Sequence, residues 1–160
     1  MSRDRQPWIF PLSVLIAIML SVMPLPVGLQ PFRPAWLALV LAYWIIETPD
    51  KVSMPLAFIL GLIEDLVAGS MMGEHALRLV VVTFILMRFR ARIRFFPLSQ
   101  QALVIVAVLI NDKIISAVLH AFWREPAASL WSWITPVLAF VLWPLVFMAL
   151  DSVRLRGWKK

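Results

Sequence analysis

The segment "LSQQALVIVAVLINDKIISAVLHAFW", residues 98–123, carries only two formal charges, Asp112 and Lys113. Its apolar residues run on without the alternation that a half-buried or barrel strand needs. It also exceeds the roughly 20 residues that take a helix across a hydrocarbon core. Lipid offers no water to backbone N–H and C=O groups, so only helices and closed barrels can cross it. Five more apolar segments accompany this one, at about 8–23, 34–46, 52–67, 75–87 and 130–150. Hydrophobic residues make up 62% of the 160, against about 45–50% in soluble domains. An 18.3 kDa globule with mean hydropathy +0.88 cannot hide that excess. The expectation is an all-α integral membrane protein, a single transmembrane domain over residues 1–160. Segments two to four are short for full crossings, so four or five spans stand as an alternative to six.

Charge separates these counts. With six spans and both termini in the cytoplasm, the inner segments hold Arg3, Arg5, Lys51, Arg88, Arg90, Arg92, Arg94, Arg154, Arg156, Lys159 and Lys160. That is eleven of the fifteen basic residues, and only Arg33 and Arg124 fall outside. The asymmetry follows the positive-inside rule and favours six spans. The first apolar run after Arg3 and Arg5 has no small-residue cleavage site behind it and reads as an uncleaved span. The basic balance (pI near 10.8) flanks apolar runs, so it points to membrane orientation and not to nucleic acid. Trp8, Trp36, Trp123, Trp131 and Trp158 sit near segment ends, as interfacial anchors do. Pro136 and Pro144 predict a kink or local unwinding in the last segment. The run "RFRARIRFF", with Arg88, Arg90, Arg92 and Arg94, reads as a cytoplasmic basic loop beside anionic lipid or a docking site for a cytoplasmic partner.

The polar residues inside the apolar segments carry most of the information. In "GLIEDLVAGSMMG" (61–73), Ala57, Gly61, Asp65 and Gly69 are four apart, one small-residue stripe that lets another helix approach closely. Asp65 should therefore face protein, with Glu64 beside it. Asp112, Ser116 and His120 form a second stripe, with Lys113 one position round. At 1.5 Å per residue, Asp65 and Asp112 lie ~20 Å along their helices, and Arg78 is near the outer start of its own. Glu64, Asp65, Arg78, Asp112 and Lys113 would then share the outer half of the membrane. Ion pairing is expected there, with Asp65 against Lys113 or Arg78. Three uses stand open for this cluster: helix packing, docking of a partner helix, or a ligand or ion pathway. Glu74 and Arg78 form a favourable i, i+4 pair, and His120 reads as an interfacial side chain.

The chain lacks the residues of the common reactions. There is no cysteine, hence no disulfide and no thiolate chemistry. No G-x-S-x-G elbow, H-E-x-x-H pair or phosphate-cradling glycine loop occurs. Glu64 and Asp65 point roughly 100° apart on a helix, which is wrong for a carboxylate dyad. His75, Glu74 and Glu64 lack the spacing of a metal site. No catalytic residue, metal or cofactor is expected.

"FRPAWLALVLAYW" (32–44), with Arg33 and Pro34 before the second segment and Tyr43 and Trp44 near its end, is followed by "GLIEDLVAGSMMGEHAL" (61–77). The latter places Gly61, Asp65, Leu66, Gly69, Gly73 and Leu77 in a G-x-x-x-D-L-x-x-G-x-x-x-G-x-x-x-L block. Together with "SQQALV" (99–104) and "LWPLVF" (142–147), these motifs resemble the MreD family, bacterial rod shape-determining membrane proteins, over most of the chain. Glu64, where an uncharged residue is expected, and Lys113 beside Asp112 depart from the pattern. The resemblance implies a six-span fold similar to the substrate-binding components of energy-coupling-factor vitamin transporters. It also implies an inner-membrane role in peptidoglycan elongation. The partners it implies are MreC, the actin-like MreB, RodA, a class B penicillin-binding protein and membrane lipids. Gly61, Glu64, Asp65, Gly69, Gly73, Arg78, Asp112 and Lys113 would serve helix packing or partner docking. From another class, the same fold would suit a small-molecule carrier working with an ATPase.

Overall fold

The computed structural model describes residues 8–24, 26–123 and 130–156. Arg3, Arg5, Arg124, Trp158, Lys159 and Lys160 lie outside them. Six α-helices follow in chain order: α1 Ile9–Val22, α2 Trp36–Glu47, α3 Met54–Ala68, α4 Glu74–Ile93, α5 Leu98–Trp123 and α6 Thr135–Arg156. Short 3-10 turns at Val27–Phe32, Pro49–Lys51 and Leu130–Ile134 link them, and the described residues contain no strand. α4 continues well past residue 87, and its last turns carry Arg88, Arg90 and Arg92. The expected basic loop is therefore helical, because the arginines sit among good helix formers with no breaker before Pro97. α6 passes through Pro144 as one helix.

The packing is a ring around an axle. α1 meets α3, α3 meets α4, α4 meets α5, α5 meets α6, and α6 returns to α1. α2 runs inside that ring, against α1, α4 and α6. Its residues Leu37 through Ile46 are all buried. A helix that is apolar on every side belongs in the middle of a structure or in lipid, and here it is in the middle. Trp44 inserts toward α1, where its Nε1 donates to Ser13 Oγ at 3.0 Å, and Phe10 meets its ring edge-on at 5.4 Å. Tyr43 packs edge-on against Phe147 of α6 at 5.3 Å.

The outer surface of the ring is apolar. Leu12, Leu15, Ile16 and Met19 on α1, Phe58 and Ile59 on α3, Leu103, Ile110, Ile114 and Val118 on α5, and Val137, Val141 and Leu145 on α6 are exposed. Asp65, Glu74, Thr83, Gln101, Asp112, Ser116 and Thr135 are buried. Such a large contiguous apolar exterior with charges inside suits lipid and not water. α5 and the stretch Leu130–Leu155 are long and apolar enough to cross a membrane. α1 and α2 are shorter, at 14 and 12 residues. At 1.5 Å per residue α2 covers only ~18 Å.

The helices alternate in direction, which puts two polar clusters at opposite ends. One end gathers the C-terminus of α2 and the late turns of α4 and α6. There Arg154 donates to Glu47 at 3.0 Å, Tyr43 donates to Asp151 at 3.3 Å, and Arg90 donates to the Ile46 carbonyl at 3.2 Å. Lys51 lies 4.5 Å over the Trp44 ring. The other end holds the residues singled out by sequence.

Candidate functional site

The site begins at the α3–α4 turn. Gly69 ends α3 in the left-handed conformation at φ 65, and Gly73 precedes α4 at φ 101. Only glycine takes such angles without strain, so the five residues 69–73 reverse the chain tightly. Gly61, two turns before that end, abuts the first turn of α4. A Cβ built on it would collide with Ala76 Cα, 2.6 Å from Ala76 N and 2.8 Å from the His75 carbonyl oxygen. Backbone thus lies on backbone, as expected for small residues at this spacing. Gly69 shares the spacing and not the role: a Cβ there would meet nothing within 4 Å.

This close approach delivers Asp65 to the N-terminus of α4. The side chain is 1% exposed. Its Oδ1 accepts from Ser70 Oγ, from the His75 backbone N–H and from His75 Nδ1, each at 2.9 Å. Its Oδ2 accepts from the Gly73 N–H at 2.8 Å and, at 3.4 Å, from the Ala76 N–H. The first N–H groups of any helix lack intrahelical partners and carry partial positive charge. Asp65 answers both needs from the preceding helix. The expected pairing of Asp65 with Arg78 or Lys113 is therefore replaced by His75, Ser70 and backbone amides. Depth along a helix said nothing of the turn beside it.

Arg78 turns instead to α5. Its Nε donates to Asp112 Oδ1 at 2.9 Å and its Nη2 to Asp112 Oδ2 at 2.6 Å, a two-bond fork. Its Nη1 donates to Glu74 Oε1 at 3.1 Å, and the same oxygen accepts from Ser116 Oγ at 2.9 Å. His120 is half-buried. Its Nδ1 lies 2.8 Å from the Ser116 carbonyl oxygen and 3.8 Å from Glu74. The Asp112, Ser116 and His120 stripe thus meets the α4 stripe of Glu74 and Arg78, locking α4 to α5.

Arg33 reaches back to α1. Its Nη2 donates to the Met23 carbonyl at 2.9 Å, closing the C-terminus of that helix where a cation is favoured. Pro34 then leads into α2, accepting from the Trp36 N–H at 3.0 Å. Around these groups is a cavity of about 250 Å³ that draws on all six helices. Its polar lining includes Ser21, Arg33, Glu64, His75, Arg78, Asp112, Lys113, Ser132 and Thr135. Glu64 and Lys113 reach this cavity without a salt bridge to any described residue. At the far end of α4, Arg88, Arg92 and Arg94 are exposed and Arg90 is half-buried.

Sequence reasoning missed His75 and Ser70 as partners of Asp65. The available signal was a carboxylate one short turn ahead of a helix start. It also missed the cavity, whose lining is scattered over more than 100 positions of chain.

Ser70 Oγ also lies 3.1 Å from His75 Nδ1, and Ser116 Oγ 3.4 Å from His120 Nδ1; most of the hydrogen bonds described above hold one helix to another or close a helix end. Fold and site together define a helical membrane protein with Asp65, Arg78, Glu74 and Asp112 engaged at the α3–α4 turn and between α4 and α5. Comparison with known proteins narrows that class. The family described as "rod shape-determining protein MreD" matches residues 2–153. The rod shape-determining protein MreD of Haemophilus influenzae is 36% identical over 140 residues, covering 87% of this chain and 86% of its own length. The chain belongs to the MreD family, membrane proteins that determine rod shape. No solved structure matches it.

Proposed function

We propose that the chain is a multi-pass scaffold of the cell-wall elongation complex in the bacterial inner membrane. It spans the membrane six times with both termini in the cytoplasm, in a fold similar to the substrate-binding components of energy-coupling-factor transporters. Its short helices are accommodated by local thinning of the bilayer. It binds MreC and helps couple MreB filaments to the wall synthases RodA and a class B penicillin-binding protein. It performs no reaction of its own. The observation that carries this reading is the family match over residues 2–153. Two structural features support it: Asp65 and the Arg78–Asp112 fork are used between the chain's own helices, and the exposed arginines of α4 lie at the end opposite the Asp65 turn. The exposed arginines would face the filament, and the Asp65 turn would face the stalk of MreC.

The test replaces the resident gene with Asp65→Ala or with a variant losing Arg88, Arg92 and Arg94, and scores cell shape alongside proteins co-purified in mild detergent. Loss of rod shape together with loss of MreC supports the scaffold. Rod-shaped cells with an intact complex in both variants refute these surfaces. A second reading, a small-molecule carrier, is favoured by the cavity alone. It requires an ATPase partner in the same co-purification.

A further inference from the structure

The cavity contains two charged side chains that form no direct ion pair with a described residue. Asp65 is met by His75 and amide donors, and Arg78 by Asp112 and Glu74. Glu64 on α3 and Lys113 on α5 line the cavity, and neither makes a salt bridge to a described residue. α4 is the shared neighbour of α3 and α5, so the two charges come to the cavity from either side of it. Three donors there are buried without a hydrogen-bond partner: Nε of Arg33, Oγ of Ser132, and Oγ of Ser21, which lies next to the Glu64 carboxylate. Ionisable groups at membrane depth are costly unless paired, and buried donors are costly unless bonded. Five such groups around one space describe a ligand by its complement.

The complement is specific. Arg33 Nε, the Lys113 ammonium and the Ser132 hydroxyl all donate, which calls for an anion with several acceptor oxygens. The Glu64 carboxylate offers acceptor oxygens, which call for a group bearing N–H donors, and a primary ammonium supplies both those donors and the matching charge. The volume is about 250 Å³. It falls below the ~300–1,000 Å³ of drug-sized sites. We infer that this cavity binds a small zwitterion combining a phosphate with a primary ammonium, the chemistry of a phosphoethanolamine group. Arg33, Lys113 and Ser132 hold the phosphate, and Glu64 holds the ammonium. Such a group arrives either as a phospholipid headgroup or as the free soluble compound. The inference stands apart from partner docking, since none of these four side chains is assigned to it by contact.

The experiment uses the full chain in mild detergent, with bound lipid read by native mass spectrometry. Phosphatidylethanolamine, phosphatidylglycerol and phosphatidylcholine are offered in equal amounts. The expected result is a preference of ~10-fold or more for phosphatidylethanolamine, the scale of one charge-assisted hydrogen bond. Glu64→Gln should abolish the preference, because the amide no longer selects a primary ammonium over a glycerol or a quaternary ammonium. Lys113→Met should lower retention of all three lipids. Both substitutions keep side-chain volume, and unchanged helical circular dichroism and unchanged MreC recovery would separate ligand loss from misfolding and from failure of the scaffold reading. Displacement of the lipid by free phosphoethanolamine would support the zwitterion site with a soluble source. Retention in its presence would support it with a lipid source. Equal retention of the three lipids by the unaltered protein, with no thermal stabilisation by phosphoethanolamine, would overturn it. So would a preference that survives both substitutions, or a crosslink from position 113 to a co-purified protein with no lipid retained.

Discussion

Replacing Asp65 by alanine removes the acceptor of four hydrogen bonds at 2.8–2.9 Å, from Ser70 Oγ, the Gly73 and His75 amides and His75 Nδ1. Water or the freed His75 side chain can reach some of these donors, so the losses do not add. The two amides sit in a tight turn at the start of α4, and each orphaned buried donor costs ~1–3 kcal/mol. Lost attraction between the carboxylate and the helix terminus adds ~0.3–1 kcal/mol, more where it is partly buried. A total of ~3–5 kcal/mol follows, the usual range for removing one partner of a buried charge set. For a chain of this size each kcal/mol moves Tm by roughly 2–4 °C, which predicts a drop of ~6–20 °C. Asp65→Asn keeps the shape and one acceptor oxygen, and should fall between the two. The assay is thermal melting in detergent followed by circular dichroism and by fluorescence of the eight tryptophans. Alanine and asparagine variants both within about 2 °C of the unaltered protein, well inside the range expected from helix-cap loss, would refute the cap.

Gly61→Ala should be worse than Gly69→Ala, although alanine is the better helix former. The first forces α3 away from the Ala76 backbone, an overpacking cost of ~1–3 kcal/mol. The second pays only for positive φ, about 1 kcal/mol; equal melting temperatures would contradict this. Arg78→Ala and Asp112→Ala should be strongly coupled in a double-substitution cycle, the pair together costing less than the sum by ~1–3 kcal/mol. Additive losses would mean that the fork carries no energy. Arg78→Lys cannot make both bonds of the fork and should not substitute for arginine in the same melting assay. Trp44→Phe keeps the core aromatic and loses the bond to Ser13, a cost of ~1 kcal/mol; a silent substitution would show that the indole N–H finds another acceptor.

Much of the framework is legible in the apolar pattern, and the reasons differ by element. α5 occupies the span read for it because a long apolar run with no proline has one helical solution. The place of α2 at the centre was not legible, since a helix apolar on every side reads alike whether lipid or protein surrounds it. The Gly61 contact was visible in the spacing of small residues. Gly69 shared that spacing, and only its positive φ reveals a turn instead of a contact. Acids and bases at similar depth pointed correctly to pairing, yet depth leaves out the azimuth. Arg78 therefore went to Asp112, and Asp65 to partners five to eleven residues ahead, in the turn and the start of α4. The basic run looked like a loop because charge resembles solvent exposure, whereas the backbone there keeps helical form to Ile93.

Orientation decides every functional assignment proposed above, because the scaffold reading requires the Asp65 end to face outward and the arginine end inward. The chain has no cysteine, so single cysteines can report which side each end faces. Met72 in the α3–α4 turn is 71% exposed, and Phe95 after α4 is 87% exposed. In intact cells, a membrane-impermeant thiol reagent should label Met72→Cys and spare Phe95→Cys until the membrane is opened. Labelling of both from the same side, or of Phe95→Cys alone, would mean that α4 does not cross as described, and the six-span scaffold would fall with it.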